Sequence, residues 1–112
     1  MIASCNVSNV TNKLKSYVGF AKKSGNLKIG SDNILAYKKF SVIIISNSIS
    51  DNAKNKLFNH SQKTNSDFVV VGYDIINTVM ESETIKAISI TEKNLASACL
   101  ECIKKLEETT IE

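Results

Sequence analysis

Residues 40–72, FSVIIISNSISDNAKNKLFNHSQKTNSDFVVVG, set two apolar runs on either side of a polar, lysine-bearing segment. The first run, FSVIIIS, is continuous rather than alternating and has the length of a strand, the pattern of a strand covered on both faces and therefore placed in mid-sheet. DFVVVG repeats that pattern and predicts a second buried strand closed by Gly72. Between them Ser50 is a helix cap, and Ala53, Leu57, Phe58 and Ser61 fall on the inward stripe of the helix it starts. Outward from this unit, Val10, Leu14, Val18 and Ala21 predict a first helix over residues 8–24 with Ser8 as cap. NLKI is a short strand, and SDNILAYKK a short helix capped by Ser31 or Asp32 with lysines in its last turn, where the helix dipole favours cations. YDIINTVM is a helix burying Ile75, Ile76 and Val79; TIKAISI is the last strand. Thr91 caps a final helix with Leu95, Cys99, Cys102, Ile103 and Leu106 inward. This alternation predicts a layered α/β domain with helices on both faces of a mainly parallel or mixed sheet.

The 112 residues fit one domain, 1–112, and their 43% hydrophobic and 22% charged content is that of a chain that folds alone. MIASCNVSNVTNK lacks the basic segment and apolar run of a leader, and no stretch reaches the roughly 18 apolar residues that span a bilayer. The reading is a soluble, cytoplasmic protein without a membrane partner. Three cysteines are odd in number and sparse, which fits a reducing compartment better than a disulfide framework. The net charge of +3 hides a gradient: residues 1–40 carry seven lysines and only Asp32, a net +6, whereas residues 81–112 carry four lysines and seven acids, a net −3. The basic pole favours a polyanionic partner. Arginine is absent, so bidentate guanidinium contacts are unavailable to this chain and each lysine acts as a point charge.

Residues that carry chemistry elsewhere do not combine here. Gly25 and Gly30 have the separation of a phosphate-binding loop, but Ser31 stands where its lysine belongs and a helix precedes it where a buried strand is required. Cys99 and Cys102 form a CxxC on the inward stripe of the last helix, away from the helix N-terminus that stabilises a thiolate, and are read as core. A zinc site would have only Cys5 and His60 to complete it. His60 lies among Asn59, Ser61 and Gln62 with no activated nucleophile beside it, and Glu81 and Glu83 are a solvated loop pair. The expectation is no catalytic residue, metal, cofactor or small-molecule substrate.

GFAKKSGNLKIGSDN, residues 19–33, holds three of the four glycines together with Lys22, Lys23 and Lys28, and Lys38 follows. A glycine directly before a helix lets a ligand approach the backbone, and the amides of Ser31, Asp32 and Asn33 are unpaired anion donors. Side chains of Asp32 and Asn33 can meet base edges while the turn grips phosphate. Lys22, Lys23, Lys28, Gly30, Ser31, Asp32, Asn33 and Lys38 are therefore the candidate nucleic-acid-binding residues, which the resemblance below assigns to RNA.

VGFAKKSGNLKIGSDNILAYKK, FSVIIISNSISDNAKNKL, DFVVVG and AISITEKNLASACLECIKKL resemble, in order and spacing, the small ribosomal proteins that bind kink-turn RNA, the seven-Ae/thirty-e superfamily, and within it the bacterial YlxQ-like branch. The resemblance runs from about Lys13 to Leu106. It implies a three-layer α/β/α sandwich around a four-stranded mixed sheet. It also implies an RNA surface made by the glycine-preceded helix and the loop before the last strand. Structured RNA, ribosomal in origin, and ribosomal proteins are the partners it implies, with a non-enzymatic role beside the translation apparatus. Where the family reads G-x-N-E with a lysine three residues on, this chain keeps Gly30, has Asp32-Asn33 for the polar pair and Ala36 for the lysine. Its loop before the last strand is MESETI, with two carboxylates where the family has apolar residues, and Ile76-Asn77 replaces Leu-Gly. The competing reading is a protein-interaction module that keeps the fold without RNA recognition and docks through its acidic C-terminal third.

Overall fold

Strand β2 (Val42–Ser46) is buried at every position, and the remaining elements are arranged to cover it. The structure is a computed structural model; it describes the backbone of residues 2–110 and the side chains of residues 11–72 and 75–105. Around β2 the order is α1 (Ile2–Lys23), β1 (Leu27–Ile29), α2 (Ser31–Ala36), then α3 (Asp51–Thr64), β3 (Asp67–Val71), α4 (Tyr73–Met80), β4 (Ala87–Ile90) and α5 (Lys93–Thr110). Among the described residues four strands make one mixed sheet in the order β1-β4-β2-β3. β2 runs parallel to β3 and antiparallel to β4, which in turn pairs antiparallel with β1.

Because side chains alternate along a strand, β2 feeds two cores. Val42 and Ile44 pack with α1, α4 and α5, against Leu14, Val18, Ile76, Cys99 and Ile103; Ile43 and Ile45 pack with Ile34 of α2, Leu57 of α3 and Ala87. Each such side chain contributes about 1.5–3 kcal/mol on burial. The layers are therefore helix, sheet, helix, the α/β/α sandwich expected from the resemblance. Hydroxyls buried beside these apolar groups are paired: Ser89 Oγ donates to Ser41 Oγ at 2.7 Å, and Ser61 Oγ donates to the Phe58 carbonyl at 2.6 Å.

Several sequence expectations are corrected by position in the sheet. β3 is an edge strand, with a ladder partner on one side only, so Phe68 and Val69 are half-buried, Val70 is 37% exposed and Val71 alone is buried. Phe58 turns outward from α3, 45% exposed, and meets Phe68 edge-on at 5.4 Å, while Leu57 and Ser61 take the inward stripe. Ser50 caps α3 as expected, accepting from the Ala53 amide at 3.2 Å. α1 starts at Ile2, so Ser8 lies inside it rather than at its start. α2 stops at Ala36, before Lys38 and Lys39, because Tyr37 is already extended. At α5 the cap is Glu92, whose carboxylate accepts from the Leu95 amide at 2.8 Å; Thr91 instead bonds Asn26. The side chains of Val10 and Leu106 lie outside the described residues.

Two glycines set the ends of α1 and α2. Gly25 (φ 79°) closes α1 in a left-handed turn: the Asn26 amide reaches back to the Ala21 carbonyl at 2.7 Å and the Gly25 amide to Lys22 at 3.3 Å. Gly30 has φ 89° and ψ 152°, a region essentially closed to other residues. Beyond the glycine and its two chain neighbours no atom lies within 4 Å of where a Cβ would sit, so the constraint is conformational and not crowding by the rest of the fold. Any side chain at this position strains the fold on its own account. Gly30→Ala is expected to lower unfolding stability by about 1–3 kcal/mol in urea denaturation. Ile44→Ala, which opens the larger core, is expected to lower it by about 2–5 kcal/mol in the same measurement.

Candidate nucleic-acid interface

β1, β2 and β3 run in one direction and β4 against them, so the C-terminal ends of the first three gather at one end of the sheet. There the chain enters α2 after Gly30, α3 after Ser50 and α4 after Gly72. The Gly30 amide donates to the Ala87 carbonyl at 2.9 Å, which continues the β1–β4 ladder and brings the end of the 81–86 segment, at Lys86, alongside the start of α2. The two elements that the resemblance assigns to an RNA surface are thus neighbours.

At that start the Ile34 amide bonds the Gly30 carbonyl at 3.1 Å, and no side chain caps the helix. The first-turn amides of Ser31, Asp32 and Asn33 are therefore not consumed by a cap. Asn33 Nδ2 donates to the Ile29 carbonyl at 2.7 Å, which fixes the carboxamide and leaves its oxygen as an acceptor. Asn33 also lines a hollow of about 430 Å³ with Leu27, Lys28, Ile29, Ala36 and Tyr37. Within it the Lys28 ammonium lies 5.5 Å from the centre of the Tyr37 ring, a cation–π contact. An aromatic face, a cation and a fixed carboxamide are the groups that stack a base, hold a phosphate and meet a base edge.

The eight candidate residues do not form one patch. Lys28 and Asn33 line the first hollow, and Gly30, Ser31 and Asp32 form the glycine turn beside it. Lys38 lies beyond Tyr37, in a second hollow of about 330 Å³ with Leu35, Lys56, Asn59, His60 and Lys63. Lys22 is on α1, in a third depression of about 190 Å³ with Lys15, Val18, Gly19, Val79, Met80 and Glu81. Lys23 is exposed in the last turn of α1. Charge counted along the chain could not separate these positions, because α2 divides the first two hollows and the sheet lies between α2 and α1. Tyr37 and Lys86 escaped the sequence reading. The exposed Lys86 precedes Ala87, the acceptor for Gly30, and only the ladder reveals this adjacency.

The carboxylates of MESETI are not equivalent. Lys15 Nζ pairs with Glu81 Oε2 at 2.5 Å, the one ion pair among the described residues. The hydrogen bond from Lys15, then its charge, holds the Glu81 carboxyl below its ordinary range, with Lys22 adding to the effect. Glu83 is exposed, as is Asp32, which suits the helix dipole but competes with a phosphate at the α2 amides. Cys99 and Cys102 are buried free thiols; burial, then the neighbouring Cys102, pushes Cys99 up to about 12, so it does not furnish a thiolate nucleophile. His60 Nε2 lies 2.6 Å from the Tyr37 carbonyl, which only accepts, so this nitrogen carries the proton. Among the described residues no group of three or more acidic, histidine or cysteine side chains is placed to hold a metal ion, and no helix is long and apolar enough to cross a membrane.

No family model matches the chain, and no curated protein does. Solved structures share its fold. A Bacillus halodurans protein of unknown function superposes with a TM-score of 0.71 at 16% identity, over 82% of this chain and 97% of that one. The 15.5-kDa RNA-binding protein of Giardia lamblia superposes with a TM-score of 0.61 at 17% identity, over 91% of each chain.

A carboxyl whose pKa is lowered on folding adds stability above its unfolded pKa and loses it as the pH falls through the folded value. In Lys15→Ala the Glu81 carboxyl is expected to titrate at higher pH than in the parent, read by carboxyl-carbon NMR. An unmoved titration would show that the pair does not form in solution.

Proposed function

We propose that this chain binds structured RNA without catalysing a reaction on it, as a ribosome-associated accessory of the kind the YlxQ-like resemblance implies. The observation that carries the reading is the glycine turn with its hollow, where Lys28 covers the Tyr37 ring and Asn33 is held beside uncapped helix amides. Support comes from the fold held in common with an RNA-binding protein of Giardia. The adjacency of the start of α2 and the end of the 81–86 segment, forced by the Gly30 to Ala87 hydrogen bond, supports it further.

A grip built on lysine and backbone amides reads shape and phosphate more than base identity. Kink-turn preference would rest on Asp32 and Asn33 in place of the family's asparagine and glutamate, with no cation at Ala36. Neutralising about five phosphates would give a log–log salt slope near −4, at roughly 0.7–0.9 per phosphate.

The test is a filter-binding titration against a kink-turn RNA and a straight duplex of equal length. Lys28→Glu is expected to weaken binding to the preferred RNA by at least about tenfold with the melting temperature preserved. Lys22→Glu, on α1 beside Lys15 and Glu81, is expected to change it much less. A preference for the kinked RNA upholds the finer assignment, and equal affinity confines the protein to structured RNA in general. Undiminished binding by a folded Lys28→Glu overturns the RNA reading at this turn, and a parent that binds neither RNA favours the protein-interaction module.

A further inference from the structure

The hollow on the far side of Tyr37 was not anticipated as a unit, although Lys38 belongs to it. Lys56, Asn59, His60 and Lys63 follow one another on one side of α3 at helical spacing, and Lys38 enters from the segment after α2. Lys56 and Lys63 are two turns apart, about 10 Å along the axis, more than a single phosphate spans. No carboxylate lines the hollow. Of the acids on the flanking elements, Asp32 is in the first turn of α2, Asp51 in the first turn of α3 and Asp67 begins β3, all outside it. The described ion pair lies on α1 and the end of α4, on the other face of the sheet. A merely solvated surface mixes both signs of charge; here three ammonium groups from two elements converge on one concavity, an arrangement that an anion relieves.

The two basic hollows share a wall. The Tyr37 ring lies in the first beneath Lys28, and the Tyr37 carbonyl takes the His60 hydrogen bond at 2.6 Å in the second. This bond pins the segment after α2 against α3 and holds Lys38 opposite Lys56 and Lys63. We infer that the α2–α3 hollow is a second contact for the phosphodiester backbone of the RNA held at the glycine turn, engaging the helical arm that continues past the Tyr37 ridge. The inference rests on the RNA reading above and extends it to a surface that supplies affinity and orientation without reading sequence.

The test uses the full chain and two RNAs, a short kink-turn hairpin and the same hairpin lengthened by one turn of duplex. Lys56→Gln/Lys63→Gln is compared with Lys93→Gln/Lys104→Gln, which removes equal charge from exposed positions on α5. For the longer RNA the α3 variant is expected to lose about tenfold in affinity and to flatten the salt slope by about 1–2, with the short hairpin bound as before. The α5 variant is expected to match the parent on both RNAs. Equal losses from both double variants would make the effect one of net charge and overturn the inference. So would an α3 variant indistinguishable from the parent on the longer RNA, or one that loses an acidic protein partner while RNA affinity stands. If the parent binds neither RNA, the reading at the glycine turn fails and this one with it; if Lys28→Glu abolishes binding and the α3 variant does not alter it, only the second contact is lost.

Discussion

Everything in this molecule is subordinate to the burial of β2. A strand with Val42 and Ile44 on one side and Ile43 and Ile45 on the other cannot face water on either, so helices must cover both faces and strands must flank both edges. The chain meets the demand with α1, α4 and α5 on one side and α2 and α3 on the other. Placing β4 between β1 and β2 then ties Gly30 to Ala87, which is how an element late in the chain comes to lie beside an early glycine turn.

The surface proposed for RNA inherits this geometry. α2 is six residues long and is held by one buried side chain, Ile34, with Tyr37 and His60 bracing its end. It is a ridge rather than a platform, with hollows bearing lysines on either flank, and the proposed polyanion binding would work through positioned lysines and exposed amides. The neutralised Glu81 belongs to the opposite helical layer, so its charge bears on α1 and α4 more than on this ridge. The described thiols and the histidine are occupied in structure: Cys99 and Cys102 fill the larger core, and His60 anchors a carbonyl.

The legibility of the sequence varied with the range of the interaction that decided each feature. Strand and helix identities along FSVIIIS, SISDNAKNKLF and AISI follow from periodicity within one segment, and the Ser50 cap follows from a residue type and its neighbours. Other features depend on what lies across the fold. DFVVVG has the composition of a covered strand yet forms an edge, because no fifth strand among the described residues pairs with it. Thr91 has the chemistry of a cap and is diverted to Asn26, leaving Glu92 to do the capping.

The amino-acid order alone determined the layered α/β class, the buried central strand and the glycine turn, since each arises from local patterning and backbone freedom over a few consecutive residues. Tertiary structure alone decided which lysines act together. Lys28 and Lys38, ten positions apart, fall on opposite flanks of α2, whereas Lys38 and Lys63, from different elements, share one hollow. Charge acts through space, and chain order does not record which segments the buried sheet brings side by side.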